Sequence, residues 1–306
     1  MENSAPALPR RRQVLGAAAG LASAALFGFS APAAKLLLPS TDPWLLAALL
    51  YCGAGGGMAA IRSLRPLRSG PSATPAPDRL RRADLPLLAA IAILGGGIGP
   101  VLMLIGLTHV SGIAGSLLLN LEAVFTMVIA GLIFRDRLSR PEAMGAAIII
   151  VGALALSYRS GATEAEPVGV VAIAAACLAW GIDNNLTARV SVRNPVQIVQ
   201  VKALTAGVGN LLLSLAAGRT MPSPSVIGVI LALGFASYGL SIMLDVYALR
   251  YVGAAREAAY FATAPFAGAI AAIPLLGETP SRHEMASGLL MAAGVIVLVR
   301  AGTRKR

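Results

Sequence analysis

Ten runs of predominantly apolar residues follow one another along the chain, and they leave almost no room for anything else. They cover about 13–37, 43–62, 85–107, 111–134, 141–158, 167–189, 196–217, 225–249, 254–276 and 284–301. A helix needs about 20 such residues to cross the hydrocarbon of a bilayer, and it is one of the few structures that satisfies its own backbone polar groups there. The ten runs therefore predict ten membrane-spanning helices. Composition agrees: 57% of the 306 residues are hydrophobic and 13% charged, against about 25% charged in soluble domains. The longest connection, "RSLRPLRSGPSATPAPDRLRRAD" (62–84), is rich in Pro, Ser and Arg and reads as an exposed loop. Nothing between the runs is long enough to bury a core of its own. The net charge of +11 falls into short clusters between apolar runs, not onto one face of a soluble fold, so nucleic-acid binding is excluded.

Arginine and lysine placement sets the orientation. With the N-terminus in the cytoplasm and ten crossings, the cytoplasmic side receives Arg10, Arg11, Arg12, the arginines of the 62–82 loop, Arg135, Arg137, Arg140, Arg189, Arg193, Arg250, Arg256, Arg300, Arg304, Lys305 and Arg306. The outer side keeps Lys35, Arg159, Arg219 and Arg282. Both termini are therefore expected inside, in a bacterial inner membrane. The first run, "RRRQVLGAAAGLASAALFGFSAPAA", also has the parts of a cleavable signal with a twin-arginine start. Removing it as a signal would reverse the charge asymmetry.

The sequence repeats. Shifted by 142 residues, Asp136 falls on Glu278, Ser139 on Ser281 and Gly152 on Gly294. "FRDRLSRPEAMGAAIIIVGALAL" thus aligns with "LGETPSRHEMASGLLMAAGVIVL" without a gap. Shifted by 153, Phe27-Gly28 falls on Trp180-Gly181, and this weaker match favours the first run as a retained helix. The chain reads as a cytoplasmic tail (1–12), a first five-helix repeat (13–158), an outer linker (159–166), a second five-helix repeat (167–301) and a basic cytoplasmic tail (302–306). Five is odd, so the second copy enters the membrane from the opposite side. Inverted repeats of this kind are common in secondary transporters.

Two further stretches, "NLEAVFTMVIAGLIFRDRLS" (120–139) and "ATAPFAGAIAAIPLLGETPS" (262–281), each followed by a glycine-containing closing helix, resemble the EamA-type transporters of the drug/metabolite transporter superfamily. The family pattern in both places is roughly Glu-Pro-Val-Phe, an apolar stretch, then Gly-Glu. This chain departs from it with Ala123 for the proline, Arg135-Asp136 for Gly-Glu, and Ala264 where the first copy has Glu122. The resemblance implies an all-α integral membrane fold of ten helices in two inverted five-helix repeats. It also implies a carrier of amino acids, metabolites or drugs, often an exporter.

Polar residues within the runs mark the candidate site, because intramembrane ionisable groups face an interior or a partner. In the fourth run Ser116 and Asn120 share a face and Glu122 projects elsewhere. The sixth places Trp180, Asp183, Asn184 and Thr187 on one helical stripe, the eighth Tyr238, Ser241 and Asp245, and the ninth Arg256, Tyr260 and Thr263; the seventh adds Lys202 and Asn210. Substrate contact is assigned to Asn120, Trp180, Asp183, Asn184, Tyr238, Ser241, Tyr260 and Thr263, since a polar and aromatic lining suits amino acids, amines or nucleosides. Lys202, Arg256 and Glu257 read as a gating or ion-pair network near the cytoplasmic ends, for example Asp183 with Lys202. Glu122 has no basic residue expected at its depth. It reads as a protonated structural acid, one half of a buried pair with a lysine that snorkels inward, or a proton- or cation-binding carboxylate, with Asp183 and Asp245 as the next proton carriers.

"GGGIGP" (95–100) reads as a hinge or as a close-packing surface, and Gly53–Gly57 as a place where helices approach. Small-residue faces of the fifth and tenth runs (Gly145, Ala146, Gly152; Ser287, Gly288, Gly294) permit a homodimer. The chain has no GxxxxGK[ST] loop, HExxH or GxSxG, so no P-loop, zincin or nucleophile-elbow chemistry is expected, and no cofactor or metal. The expected function is secondary transport of a small metabolite, amino acid or drug-like solute by alternating access, outward, with protons as one choice of coupling ion. The alternatives are a membrane sensor or scaffold, and an integral membrane enzyme acting on lipid-linked substrates. The expected partners are the small-molecule substrate and the lipid bilayer.

Overall fold

The computed structural model describes residues 10–64, 80–134, 138–157, 166–190 and 193–304. Asp136, Arg135, Arg137, Arg159, the loop residues 65–79 and most of the linker read between the repeats lie outside the described residues. Among the described residues the fold is all helical, and ten helices are long and apolar enough to cross a membrane: α1 (Arg11–Ser40), α2 (Pro43–Ser63), α3 (Arg82–Leu107), α4 (Gly112–Ile133), α5 (Arg140–Ser157), α6 (Pro167–Arg189), α7 (Val196–Ala216), α8 (Pro224–Val252), α9 (Arg256–Leu276) and α10 (Arg282–Gly302). Ten crossings bring both ends to one face, called here the terminal face; the α3–α4 and α9–α10 turns lie on the far face.

Local chemistry sets the helix ends. Pro167 and Pro224 open α6 and α8, where the missing N–H is no loss and φ is already helical. The Asn194 side chain accepts from Val196 N and Gln197 N and caps α7. The same capping device opens α5 and α10. Glu142 accepts from Ser139 N at 2.8 Å at the start of α5, and Glu284 accepts from Ser281 N at 2.9 Å at the start of α10.

The principal packing runs between the two halves of the sequence. α1 packs on α8 and α9, and α6 correspondingly on α3 and α4. α2 packs on α8, and α7 on α3; α2 also packs on α7, α4 on α9, and α5 on α10. Exchanging each helix for the one five places on maps these pairings onto themselves. Glycines make the tightest crossings possible: a Cβ at Gly234 would stand 1.9 Å from Leu50 O, and one at Gly28 2.1 Å from Ala264 O. In the Gly53–Gly57 run, Gly53, Gly55 and Gly57 admit Leu231, Leu204 and Phe235, while Gly56 meets nothing. The small faces of α5 and α10 are used inside the chain. Gly145 lies against Gly294 O and Leu298, and Gly152 against Met291 and Ser287 O. They are not a free surface for a second copy.

Among the described residues, four spans are irregular in their interior. α3 is π-helical over Ala92–Ile98 and α8 over Phe235–Leu240. α4 is broken between Leu118 and Leu121, and α9 between Phe261 and Ala264. In α4, Asn120 Nδ2 donates to Leu117 O at 2.8 Å and its own N–H reaches the same carbonyl at 3.1 Å. In α9, Thr263 Oγ1 and N–H do the same to Tyr260 O, at 2.6 and 3.1 Å. A side chain that occupies the carbonyl of residue i−3 diverts the regular i→i−4 ladder and ends the helical segment.

Candidate functional site

The π-helical turn of α3 positions the centre of the site. A wider turn displaces a carbonyl from the regular ladder, and the oxygen of Gly95 accepts two side-chain hydrogen bonds instead. Tyr51 Oη of α2 donates at 2.8 Å and Trp180 Nε1 of α6 at 2.9 Å. Gly95 has no Cβ for a second reason. One built there would stand 2.0 Å from Asp183 Oδ2, so the glycine leaves the space that the carboxylate fills. Asp183 is buried. It takes an ion pair from Lys202 Nζ of α7 and a hydrogen bond from Thr187 Oγ1 at 3.3 Å. Asn210 Nδ2, also of α7, reaches Gly97 O at 3.4 Å.

Beside this pair stands Glu122. It begins the second segment of α4, about 15 Å of helix in from the far-face end, and the dipole of that segment favours a negative charge in its first turn. Asn184 Nδ2 donates to Glu122 Oε1 at 2.8 Å and lies 3.3 Å from Thr126 Oγ1; Asn185 Nδ2 holds Thr126 O at 2.9 Å. Asp183 and Lys202 both lie within electrostatic reach of Glu122. An inward-reaching lysine is one of the readings open for Glu122, and the ion pair of Lys202 is with Asp183. Lys202 enters near the terminal face, and its four-carbon stem carries the ammonium inward.

An aromatic wall closes the other side. The Tyr51 and Tyr238 rings stack with centroids 5.5 Å apart, Phe27 meets Tyr238 edge-on at 5.8 Å, and Phe261 lies 5.1 Å from Phe27. Tyr238 Oη bonds Ser30 Oγ at 3.2 Å, and Ser241 Oγ bonds Ser23 O at 3.1 Å, both tying α8 to α1.

The sixth-run stripe thus fans out to three helices: Trp180 to α3, Asp183 to α7 and Asn184 to α4. Other assignments do not meet there. Asn120 and Thr263 bond carbonyls of their own helices and form the breaks described above; Thr263 also lines an apolar groove of about 330 Å³ on the flank of α9 and α10. Tyr260 packs on Gly20 of α1, its Cδ2 2.9 Å from where a Cβ would be. Arg256 is exposed, and Glu257 stands against Asp245 rather than in a network with Lys202. Among the described residues, the buried Asp245 Oδ1 has no hydrogen-bond partner. Asp183, Lys202, Asp245 and Glu257 therefore form two separate pairs, Asp183 with Lys202 and Asp245 with Glu257. Sequence reading missed Tyr51, Thr126 and Ser30, and named Gly95 only within a hinge or packing stretch.

This arrangement offers, near mid-membrane, a carboxylate with a neutral donor, an adjacent ion pair and an aromatic wall. It holds no nucleophile–base pair. Comparison with known proteins points the same way. The chain is 30% identical over 302 residues to an uncharacterised transporter of Methanothermobacter thermautotrophicus, covering 94% of this chain and 87% of the relative. It is 27% identical over 232 residues to a probable terminal-alkyne amino-acid exporter of Streptantibioticus cattleyicolor, covering 72% and 75%. A solved crystal structure superposes with a TM-score of 0.64 at 19% identity over 94% of this chain and 95% of that one, which fixes the fold alone. Residues 14–158 and 167–300 both match the EamA-like transporter family. This is a multi-pass membrane protein and a transporter rather than an enzyme, and the chain belongs to the EamA-like transporter family.

Proposed function

We infer that the chain exports a small solute carrying an amino group, with amino acids as the leading class, by alternating access of two inverted five-helix halves. One observation carries the reading: Glu122 stands at the break of α4 with Asn184 on one oxygen and the Asp183–Lys202 pair beside it. A carboxylate at that depth is costly unless it is matched, and an ammonium group matches it. Lys202 supplies the opposite charge for a solute carboxylate, and the Tyr51–Tyr238 wall an apolar face for the rest. The relative described as an amino-acid exporter supports the class and the direction. Exchange of a proton for the solute at Glu122 is the coupling that this reading proposes. Arginine placement supports a terminal face in the cytoplasm, with a bacterial inner membrane as the proposed location.

The test is solute-dependent thermal stabilisation of the purified protein, followed by flux in everted vesicles, each with Glu122→Gln in parallel. A ligand at a hundredfold excess over its Kd raises stability by about 2.7 kcal/mol. An amino acid that stabilises the parent protein and not the amide variant is expected. Equal stabilisation of both would remove Glu122 from the site.

A further inference from the structure

On the far face, the α3–α4 turn is gripped from four sides. Glu278, in the α9–α10 turn, accepts from Gly112 N at 2.6 Å through Oε1 and from Ile113 N at 2.9 Å through Oε2, so both of its oxygens hold the free amides that begin α4. Ser111 Oγ donates to Glu284 Oε1 of α10 at 2.5 Å. His109 Nδ1 lies 2.9 Å from Glu166 Oε2, and Glu166 N donates to His109 O at 3.2 Å. Lys35 Nζ of α1 donates to Leu107 O and Val110 O, both at 2.6 Å, on the α3 side of the turn. Two of the four gripping side chains, Glu278 and Glu284, come from the second half of the chain and Glu166 from the linker, and the turn they hold belongs to the first half.

The grip is one-sided by sequence. Under the 142-residue shift, Ser111 falls on Gly253 and Glu278 on Asp136. In the sequence a glycine therefore stands where the hydroxyl taken by Glu284 would have its counterpart, and the residue corresponding to Glu278 is an aspartate, one carbon shorter. Gly253 begins its helix without a side-chain cap, whereas Ser111 caps its own by accepting from Ala114 N at 2.9 Å. The gripped piece is also a mechanical unit. Gly112–Leu118 is joined to the segment carrying Glu122 only through the break at Leu119–Asn120.

We propose that Glu278 is the latch of a far-face gate: its carboxylate, with Glu284, Glu166 and Lys35 in support, holds Gly112–Leu118 closed over the path to the centre. Release of its two amide contacts lets that segment swing on the Leu119–Asn120 break. The proposal rests on the transport reading for its purpose but not for its test.

A reporter cysteine replaces Ser30, which lies in the aromatic wall, in a chain with Cys52→Ser and Cys177→Ala. Its modification by a charged, membrane-impermeant methanethiosulfonate is timed in right-side-out and in inside-out vesicles. Glu278→Gln is expected to speed modification from the far face at least about tenfold, the population shift that loss of one charge-assisted hydrogen bond gives a two-state equilibrium. Glu142→Gln, which alters the carboxylate corresponding to Glu284 in the other half, leaves that rate within about twofold on the same scale. If Glu278→Gln does not yield a monodisperse protein, Ser111→Ala and Glu278→Asp give the same readout in the same direction. Unchanged far-face modification in these variants overturns the latch. An equal rise with Glu142→Gln also overturns it, by showing general loosening. Modification requires no solute, so failure to find a transported solute tells against the transport reading alone.

Discussion

Single side chains decide the centre of this protein through how completely they are matched. The Asp183 side chain is 3% exposed and that of Lys202 21%, so the two do not suffer equally from losing each other. Lys202→Met strands a buried carboxylate, for which a cost of about 3 kcal/mol is expected. Asp183→Asn leaves an ammonium that still reaches water along its stem and costs less. The double variant is expected to recover at least half of the Lys202→Met loss, read as thermal melting in detergent; additive losses would mean that the pair is not coupled. This pair was legible in the sequence, because two opposite charges fell at similar depth in neighbouring spans. Gly95 and Tyr51 were not, since a backbone carbonyl becomes an acceptor only after a helix has been distorted. Asn120 and Thr263 misled for a related reason. Helical spacing says which side a residue faces, but not that its nearest partner is a carbonyl in its own preceding turn.

Whole helices show where regularity was given up. The π-helical turns of α3 and α8 and the breaks of α4 and α9 occur in corresponding helices of the two halves, and those of α3 and α4 surround Asp183 and Glu122. Ten spans were legible from length and apolarity alone, because a bilayer fixes the length of a crossing. The irregular turns were not, because nothing in "GGGIGP" separates a hinge from a packing surface until its neighbours are known. The neighbours make it both: Gly95 supplies an open carbonyl and also the room for Asp183. Gly95→Ala therefore places a methyl 2.0 Å from a carboxylate oxygen that Lys202 and Thr187 hold in place, and a loss of about 1–3 kcal/mol is expected from overpacking. Gly56 lies in the next helix with nothing within 4 Å of its missing Cβ. There the alanine substitution is expected to raise stability, by up to about 1 kcal/mol from helix propensity. Melting temperatures that move in the same direction for both variants would contradict this account of α3.

For the molecule as a whole, what matters is that neither half keeps its own core. α1 and α6 each pack chiefly on two helices of the other half, and α2–α7, α4–α9 and α5–α10 all cross between halves. Without a hydrophobic driving force in lipid, helices associate through close van der Waals fit and hydrogen bonds. The closest approaches of a glycine to another helix's backbone, Gly234 on Leu50, Gly28 on Ala264 and Gly53 on Leu231, all join the two halves. A five-helix half made alone thus lacks the surfaces its glycines were shaped for, while two halves made together recover them. Cutting the chain between Arg159 and Ser160 and co-expressing the pieces is expected to give a complex that co-purifies through a tag on either one and melts as one unit. Each piece alone is expected to be degraded or to aggregate on extraction. A first half that purified as a stable monomer would show that its stability lies within the repeat, and the pairing across the halves would then be contact without consequence.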